Sequence, residues 1–172
     1  MIVILDNIRS MNNVGSIFRT ADALGVEKIY LAGITPEPLD LFGRPRPQFV
    51  KVSLGAEKSV AWEKVKNTGR LVDKLKKDGC KILAVEQSKN SIPYYKLKSK
   101  NYKLKTVFVF GNEVRGISTA VLKKCEKILE IPMRGAMVRQ AHHPRHKGRG
   151  KESLNVAVSF GIVMFHLMYN KK

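Results

Sequence analysis

Short apolar runs alternate along the chain with segments in which apolar residues recur at helical spacing. The short runs predict strands, and they are Met1–Leu5, Lys28–Ala32, Lys81–Glu86, Thr106–Phe110 and Ile128–Ile131. Helical spacing predicts helices, and these segments are Asn13–Gly25, Thr68–Asp78, Thr119–Cys125 and Leu154–Met168. Because strands and helices alternate, we expect an α/β domain with a mostly parallel sheet flanked by helices.

Three segments differ from this alternation in composition. Thr35–Pro47 contains four prolines and predicts a loop, and Lys89–Lys105 is polar and basic, which predicts a surface connection. Leu154–Met168 is apolar nearly all round, which predicts burial in the domain core or against a second subunit. At about 15 residues it is shorter than the roughly 20 that span a bilayer, so we expect no membrane association.

The length of 172 residues is typical of one globular domain, so we expect a single domain over residues 1–172. A chain of this size buries roughly 70% of its unfolded surface and needs no disulfide or metal to fold. Its two cysteines, Cys80 and Cys125, form no CxxC pair, which is typical of a reducing compartment. Because residues 1–6 lack the basic flank and apolar length of a signal peptide, we expect a cytoplasmic protein.

The charge of the chain is strongly positive. Thirty-two Lys and Arg residues oppose 14 Asp and Glu residues, which gives a formal net charge of +18. Such a surface attracts polyanions at long range, and nucleic acids are the commonest polyanions in a cell. Charge by itself does not choose among RNA, DNA and an anionic membrane.

The chain lacks the common nucleotide-binding motifs. It has neither a GxGxxG fingerprint after its first strand nor a GxxxxGK[ST] phosphate loop. Its glycine-rich turn is Gly111–Gly116, directly after the strand Thr106–Phe110. Backbone that ends in glycine can approach a ligand closely, and Glu113 would lie over that edge of the sheet. An ordinary strand-to-helix turn explains the same residues.

Two further clusters contain polar residues next to predicted helices. In the first, Asn12 or Asn13 is a candidate helix cap, and Arg19 lies off the apolar face, as a solvated arginine does. In the second, Ser153 is a candidate cap of the last helix. Asn155, inside the opening of that helix, is unfavourable there unless its side chain has a partner.

Together the three clusters match the motifs of one family. They are Asn13-x-Gly15-x-x-x-Arg19-Thr20-Ala21, then Phe110-Gly111-Asn112-Glu113-x-x-Gly116-Ile117-Ser118, then Ile131-Pro132-Met133 with Ser153-Leu154-Asn155-Val156-Ala157-Val158. In their order and spacing, the chain resembles the SpoU/TrmH branch of the SPOUT RNA methyltransferases over nearly its whole length, apart from the segment after Gly135. Each motif alone is weak, and all three in sequence are specific.

The resemblance implies a fold, a cofactor and a reaction. The fold would be an α/β domain with a trefoil knot at its C-terminal end, a rare exception to unknotted topology. The protein would form a homodimer, bind S-adenosylmethionine in the knot, and transfer a methyl group to a ribose 2′-hydroxyl of structured RNA without a metal. Compact members of the family often act on tRNA, so we expect tRNA as the first substrate and ribosomal RNA as the second.

The resemblance also implies which residues form the site. The cofactor would be held by backbone near Val85, Gly111, Ile131, Met133 and Leu154. The residues implied around the acceptor nucleotide, with both chains of the dimer contributing to each site, are Arg19, Asn13, Glu113, Ser153 and Asn155. A guanidinium is a poor general base because it stays protonated in proteins. We therefore expect Arg19 to clamp the adjacent phosphate and to stabilise the developing alkoxide.

Residues 136–150 depart from the family pattern, which usually has only a few residues at this place. We interpret Ala136–Gly150 as an inserted basic loop, which is tolerable because the cost of closing a loop grows slowly with its length. Three interpretations stay open: an exposed flap, an added RNA contact, or a distorted cofactor pocket. The segment contains His142, His143 and His146, but it offers no fourth ligand at suitable spacing, so we expect no metal site.

A function of another class stays open beside the enzyme. If the inserted segment spoils the pocket, the same fold would be a catalytically impaired RNA-binding protein. Both functions predict salt-sensitive RNA binding, so RNA affinity does not separate them. Binding of S-adenosylmethionine separates them, because only the enzyme requires it.

Overall fold

A computed structural model describes residues 1–97, 105–133 and 153–169 of the chain. The strands are β1 (Ile2–Asp6), β2 (Lys28–Ala32), β3 (Ala61–Val65), β4 (Lys81–Val85), β5 (Ile92–Pro93), β6 (Thr106–Phe110) and β7 (Lys127–Glu130). The helices are α1 (Met11–Ala23), α2 (Pro47–Ser53), α3 (Ala56–Ser59), α4 (Thr68–Lys77), α5 (Thr119–Leu122) and α6 (Val156–Tyr169). A single 3-10 turn follows β5 at Tyr94–Lys96.

The strands form one seven-stranded sheet in the order β3-β2-β1-β6-β4-β7-β5. Every pairing between these strands is parallel. This confirms the predicted α/β class with a parallel sheet flanked by helices. Because parallel strands all end at the same edge, the segments that follow β1, β4, β6 and β7 meet at one carboxyl edge, where α/β proteins bind ligands.

Alternate residues of β1, β2, β4 and β6 enter two separate apolar clusters, one on each face of the sheet. On the first face, Leu5 and Phe110 are buried under α1, α2, α3 and α6. On the second face, Ile4 and Val109 are buried under α4 and α5. The period of two within a strand and the two covered faces are what a parallel sheet requires.

The structure corrects three predictions of secondary structure. The segment Thr35–Pro47 is not entirely loop, because Pro47 begins α2, where its fixed φ suits a first helical turn. The segment Lys89–Lys105 is not only a surface connection, since β5 pairs in parallel with β7 at the end of the sheet. The first helix is capped by Ser10, whose hydroxyl accepts a hydrogen bond from the Asn13 N–H at 3.2 Å, and not by Asn12 or Asn13.

The last helix is buried along one side and exposed along another. Phe160 and Val163 are fully buried in the first-face cluster, as the apolar composition of α6 predicts. Val158, Phe165 and Tyr169 lie on the exposed side, with 50–60% of their surface accessible in the single chain. In the described ranges, no helix is both long and apolar enough to cross a bilayer.

Several predictions concern residues 134–152, which lie outside the described residues. They include the inserted loop 136–150, its histidines and the passage of chain that would form the trefoil knot. That residues 1–172 form one domain likewise stays a prediction. The family resemblance and the sheet are consistent with it.

Candidate active site

An open cleft lies at the carboxyl edge of the sheet, above β4, β6 and β7. Its empty volume, which includes space open to solvent, is about 700 Å³. A concave cleft at this edge of a parallel sheet is the usual place of a ligand or cofactor site in α/β proteins.

All five residues predicted to hold the cofactor line this cleft. Val85 ends β4 and Gly111 follows β6. Ile131 and Met133 follow β7, and Leu154 lies just before α6. The five residues lie up to 69 positions apart in sequence, from 85 to 154. The parallel sheet brings them together because β4, β6 and β7 end at the same edge.

Glu113 connects the cleft to the start of α1. Its carboxylate accepts hydrogen bonds from the N–H groups of Arg9 at 3.1 Å and Ser10 at 3.2 Å, and from the Asn13 amide at 3.0 Å. Partial burial raises the pKa of Glu113, but the hydrogen bonds from these donors outweigh it, so that the pKa lies below its usual value. Glu113 is therefore ionised at neutral pH and acts as an anchor for the start of α1.

Asn13 and Asn155 form a side-chain hydrogen bond between the first and the last helix. The Asn155 amide donates to the Asn13 Oδ1 at 3.1 Å, across 142 positions of sequence. This is the partner that the unusual place of Asn155 required. Its own Oδ1 accepts from the Ala157 N–H at 2.8 Å, so Asn155, and not Ser153, caps α6. Ser153 instead lines the cleft.

Arg19 is the one predicted site residue that the structure does not bring to this group. It lies on the exposed side of α1, six positions after Asn13, and it does not line the cleft of its own chain. Of the predicted acceptor-side residues, Glu113 and Ser153 line the cleft. Asn13 joins them through the hydrogen bond to Glu113, and Asn155 through its bond to Asn13.

Glu86 is a site residue that the sequence analysis missed. It follows β4 directly and lines the cleft, and its carboxylate accepts from the Ile117 N–H at 3.0 Å and the Gln87 N–H at 2.9 Å. Gly116 lies against this carboxylate with φ +64°, and an added Cβ would collide with it. A carboxylate directly after a buried strand at the ligand-binding edge was the available signal.

Asn112 organises the glycine-rich turn and was also missed. Its side-chain oxygen accepts from the N–H groups of Val114 and Arg115, both at 2.9 Å. Its amide donates to the Asn7 carbonyl at 2.7 Å, which ties the turn to the segment after β1. An Asx-type turn of this kind fixes the backbone where it borders the cleft.

The cleft has an apolar wall and an acidic rim. Its apolar lining includes Val85, Phe110 and Leu129, while three carboxylates line it at Glu86, Glu113 and Glu130. Three acidic side chains at one cleft contrast with the net charge of +18 for the whole chain. This combination suits a ligand that has a flat apolar part and a positive centre. Within the described residues, no group of three or more His, Cys, Asp or Glu is placed to hold a metal ion.

Known proteins resemble this chain over nearly its whole length. A "tRNA (guanosine(18)-2'-O)-methyltransferase" of Aquifex aeolicus is 31% identical over 165 residues, which cover 96% of this chain and 67% of that protein. The "23S rRNA (guanosine-2'-O-)-methyltransferase RlmB" of Neisseria meningitidis is 30% identical over 164 residues, which cover 95% of this chain and 56% of that protein. The chain thus spans between about half and two thirds of these relatives.

A solved structure shares the fold. The AdoMet-bound rRNA methyltransferase of Sinorhizobium meliloti superposes with a TM-score of 0.77 and 25% identity, covering 98% of this chain and 56% of that one. A family model described as the SpoU rRNA Methylase family matches residues 1–138, and so ends just inside the segment 136–150. With this match over more than half of its length, the chain belongs to the SpoU rRNA methylase family.

Proposed function

We propose that this protein is an S-adenosylmethionine-dependent RNA methyltransferase that modifies a ribose 2′-hydroxyl. The observation that carries the proposal is the cleft, which is lined by all five predicted cofactor residues and bordered by Glu113. The relatives methylate the 2′-oxygen of guanosine in tRNA or in 23S rRNA, as their names state.

The residues of the cleft fit the cofactor. Its apolar wall, with Val85, Ile131 and Leu154, suits an adenine ring, and the acidic rim suits a sulfonium and an ammonium group. When bound, S-adenosylmethionine supplies an electrophilic methyl group for an in-line displacement. The part of the protein is to hold the acceptor oxygen in line, because orientation alone removes much of such a barrier.

The polar residues beside the cleft would position the acceptor ribose. Ser153 lines the cleft and offers an uncharged hydroxyl, and the bonded pair Asn13 and Asn155 lies between Glu113 and the start of α6. Glu113 keeps its charge because its pKa is lowered, so it is a poor acceptor for the ribose proton at neutral pH. Its role is to hold Asn13 and the start of α1 in place.

Arg19 would enter the site from a second copy of the chain. It is exposed and does not line its own cleft, as expected for a residue that acts across a dimer. The exposed apolar side of α6, with Val158, Phe165 and Tyr169, supports a homodimer, because large apolar side chains aligned on one helix side favour association. In that assembly Arg19 would clamp the phosphate next to the acceptor and stabilise the developing alkoxide.

Structured RNA is the proposed substrate, with tRNA first and ribosomal RNA second. The relative acting on tRNA is similar in sequence to the same degree as the relative acting on 23S rRNA, so similarity does not rank them. A catalytically impaired RNA-binding protein stays the alternative, and it depends on the segment 136–150.

The decisive experiment combines methyl transfer with mapping of the product. Total RNA from a methylase-deficient host is incubated with the protein and labelled S-adenosylmethionine, and 2′-O-methylated positions are mapped. We expect label in tRNA at a defined nucleotide. Label in ribosomal RNA alone would reverse the substrate order. The absence of both label and calorimetric cofactor binding at millimolar concentration would favour the binding-only alternative.

The role of Arg19 is tested by a pair of matched variants. Arg19→Ala is expected to abolish methylation while it leaves cofactor affinity nearly unchanged. Arg70→Ala removes the same charge from an exposed position on α4 and is expected to be active. Equal loss of methylation and of cofactor affinity in Arg19→Ala would show that Arg19 has another role.

A further inference from the structure

A tight loop projects from the carboxyl edge of the sheet between β2 and α2. We call residues 39–46 the 39–46 loop. Leu39 and Pro45 form an antiparallel bridge at its base, and the Asp40 N–H donates to the Arg44 carbonyl at 2.8 Å. The Arg46 Nε donates to the Leu39 carbonyl at 3.0 Å. The loop is therefore closed by its own hydrogen bonds.

The tip of this loop presents large apolar side chains to solvent. Leu41 is 97% exposed and Phe42 is 80% exposed. The Arg44 guanidinium lies over the Phe42 ring at 4.9 Å from its centroid. The tip therefore offers one free aromatic face next to a cation, an arrangement that the packing of the domain does not require.

Asp40 holds the tip in this shape. Its carboxylate accepts from the Phe42 N–H at 2.8 Å, the Arg44 N–H at 2.9 Å and the Arg44 Nε at 2.9 Å. The hydrogen bond from the Arg44 backbone does most to lower the pKa of Asp40, so it stays ionised at neutral pH. Because the backbone on both sides of Phe42 is fixed by these bonds, the tip loses less freedom when it binds a ligand than a flexible loop does.

Thr35, four residues before the 39–46 loop, is fixed to the segment that follows β1. The buried Thr35 hydroxyl donates to the Leu5 carbonyl at 2.9 Å and accepts from the Ile8 N–H at 3.1 Å. The next residue, Arg9, has an exposed side chain, and its N–H bonds to Glu113 at the cleft. The 39–46 loop and the cleft therefore share one edge of the sheet, and Arg9 lies in the segment that connects them.

We propose that the 39–46 loop binds an unpaired nucleotide of the RNA substrate, with a base stacked on Phe42. This inference rests on the proposed function, which supplies RNA as the substrate class. Aromatic rings beside arginines are the usual contacts of unpaired bases and their phosphates. Arg44 lies over the ring and forms an ion pair with Asp40, and Arg46 adds a second cation at the base of the loop. Because the whole chain also carries a charge of +18, the tip suits an anion better than an apolar protein face.

The first test measures binding of unfractionated tRNA at several salt concentrations. Phe42→Ala is expected to weaken binding by about 5- to 150-fold, the effect of losing one stacked base. The slope of the logarithm of the binding constant against the logarithm of the salt concentration should stay unchanged, because no phosphate contact is lost. Phe42→Tyr, which keeps an aromatic face, should bind like the wild type.

A matched control removes an exposed aromatic ring elsewhere. Tyr95 is 49% exposed in the 3-10 turn at the β5 end of the sheet, so Tyr95→Ala should bind tRNA like the wild type. Equal affinities of Phe42→Ala and the wild type would overturn the proposal. A changed sedimentation mass in Phe42→Ala would overturn it too, since it would assign the tip to self-association.

A fluorescence experiment reports stacking directly. The variant Phe42→Trp adds one indole to Trp62, so the signal of position 42 is the difference from the wild type. Stacking on a base should quench this difference signal when tRNA is added, whereas a fully paired RNA duplex should leave it unchanged. No quenching by tRNA would contradict the proposal.

Steady-state kinetics of methyl transfer distinguish a failure of this inference from a failure of the proposed function. If the wild type methylates RNA, Phe42→Ala should raise KM for RNA by the same factor as Kd and leave kcat nearly unchanged. A wild type that methylates no RNA would defeat the proposed function, while the binding and quenching experiments would still decide the role of Phe42.

Discussion

The helices on the two faces of the sheet differ in whether they also bring polar residues to the cleft. On the second face, α4 buries Leu71, Val72 and Leu75 and exposes a basic side, as an amphipathic helix does. On the first face, α1 and α6 bury apolar residues, and Asn13 of α1 bonds beside the cleft to Asn155, the cap of α6. Under α4 the second face serves as scaffold, whereas the first face combines core and site.

This difference shows why the site depends on packing. Phe160 of α6 lies against Phe110 at the end of β6, with ring centroids 5.2 Å apart, and Phe110 lines the cleft. The floor of the cleft is thus part of the first-face core. A change in that core moves the cleft, whereas a change under α4 should not.

The largest expected effect tests this contrast in the two cores. Phe160→Ala removes a fully buried ring and should destabilise the protein by about 3–5 kcal/mol, and cofactor affinity should fall because Phe110 loses its support. Leu71→Ala on the second face should cost about 2–5 kcal/mol and leave cofactor affinity unchanged. Urea unfolding at one fixed protein concentration and calorimetry measure both. An equal loss of cofactor affinity in the two variants would remove the distinction between the faces.

A smaller effect is expected at the turn beside the cleft. Gly116→Ala places a Cβ at φ +64°, which costs about 1–2 kcal/mol, and also displaces the Glu86 carboxylate. Gly25→Ala is the control, because it has φ +67° and open space around it. Thermal or urea unfolding should show a larger loss for Gly116→Ala, and only this variant should lose cofactor affinity. Equal stability losses would mean that Glu86 adapts without cost.

The helix cap and the helix-to-helix bond of Asn155 can be separated. Asn155→Ala should lose about 0.5–2 kcal/mol of stability, because the Ala157 N–H loses its cap. Asn155→Asp keeps an accepting oxygen for that cap but cannot donate to Asn13. We therefore expect near wild-type stability and reduced methyl transfer from Asn155→Asp. Full activity of this variant would show that the bond to Asn13 is dispensable.

The smallest expected effect is a pH dependence at Glu113. Since its pKa in the folded protein lies below the ordinary value of 4.5, its charge stabilises the fold above pH 4.5. This contribution is lost as the pH falls through the lowered pKa. The stability difference between wild type and Glu113→Gln should therefore be constant above pH 5 and shrink below pH 4.5. Urea midpoints from pH 7 to pH 3 measure it, and a difference that persists at pH 3 would contradict it.

The sequence predicted the fold well where a segment buries one regular side. The helix α4 and the strands β2 and β6 lie within one residue of their predicted bounds. Their apolar residues are the ones buried in the core, so the apolar pattern in the sequence marks where each element begins and ends. The segment from α2 to β3 was not predicted. Its helices have 7 and 4 residues, too few for a periodic pattern, and β3 is a sheet-end strand that is only partly buried.

The site was predicted where it coincides with motif residues, and less well where it depends on geometry. All five residues that the family motifs assign to the cofactor line the cleft, and their contact with the cofactor stays a prediction. The motifs did not assign the cap of α6 to Asn155 instead of Ser153, because both are good capping residues and only the start of the helix decides. Arg19 lies on the exposed side of α1, away from the cleft of its own chain, so its part in the site stays a proposal.

The bond between Asn13 and Asn155 joins residues 142 positions apart, and this separation sets an order of events at the ribosome. At translation rates of about 5–20 residues per second, Asn155 is made about 7–28 s after Asn13. The strands β2 to β7 are made during that interval, and the polar group beside the cleft stays incomplete until it ends. Every strand of the sheet is therefore synthesised before the last helix and the polar group beside the cleft can be completed.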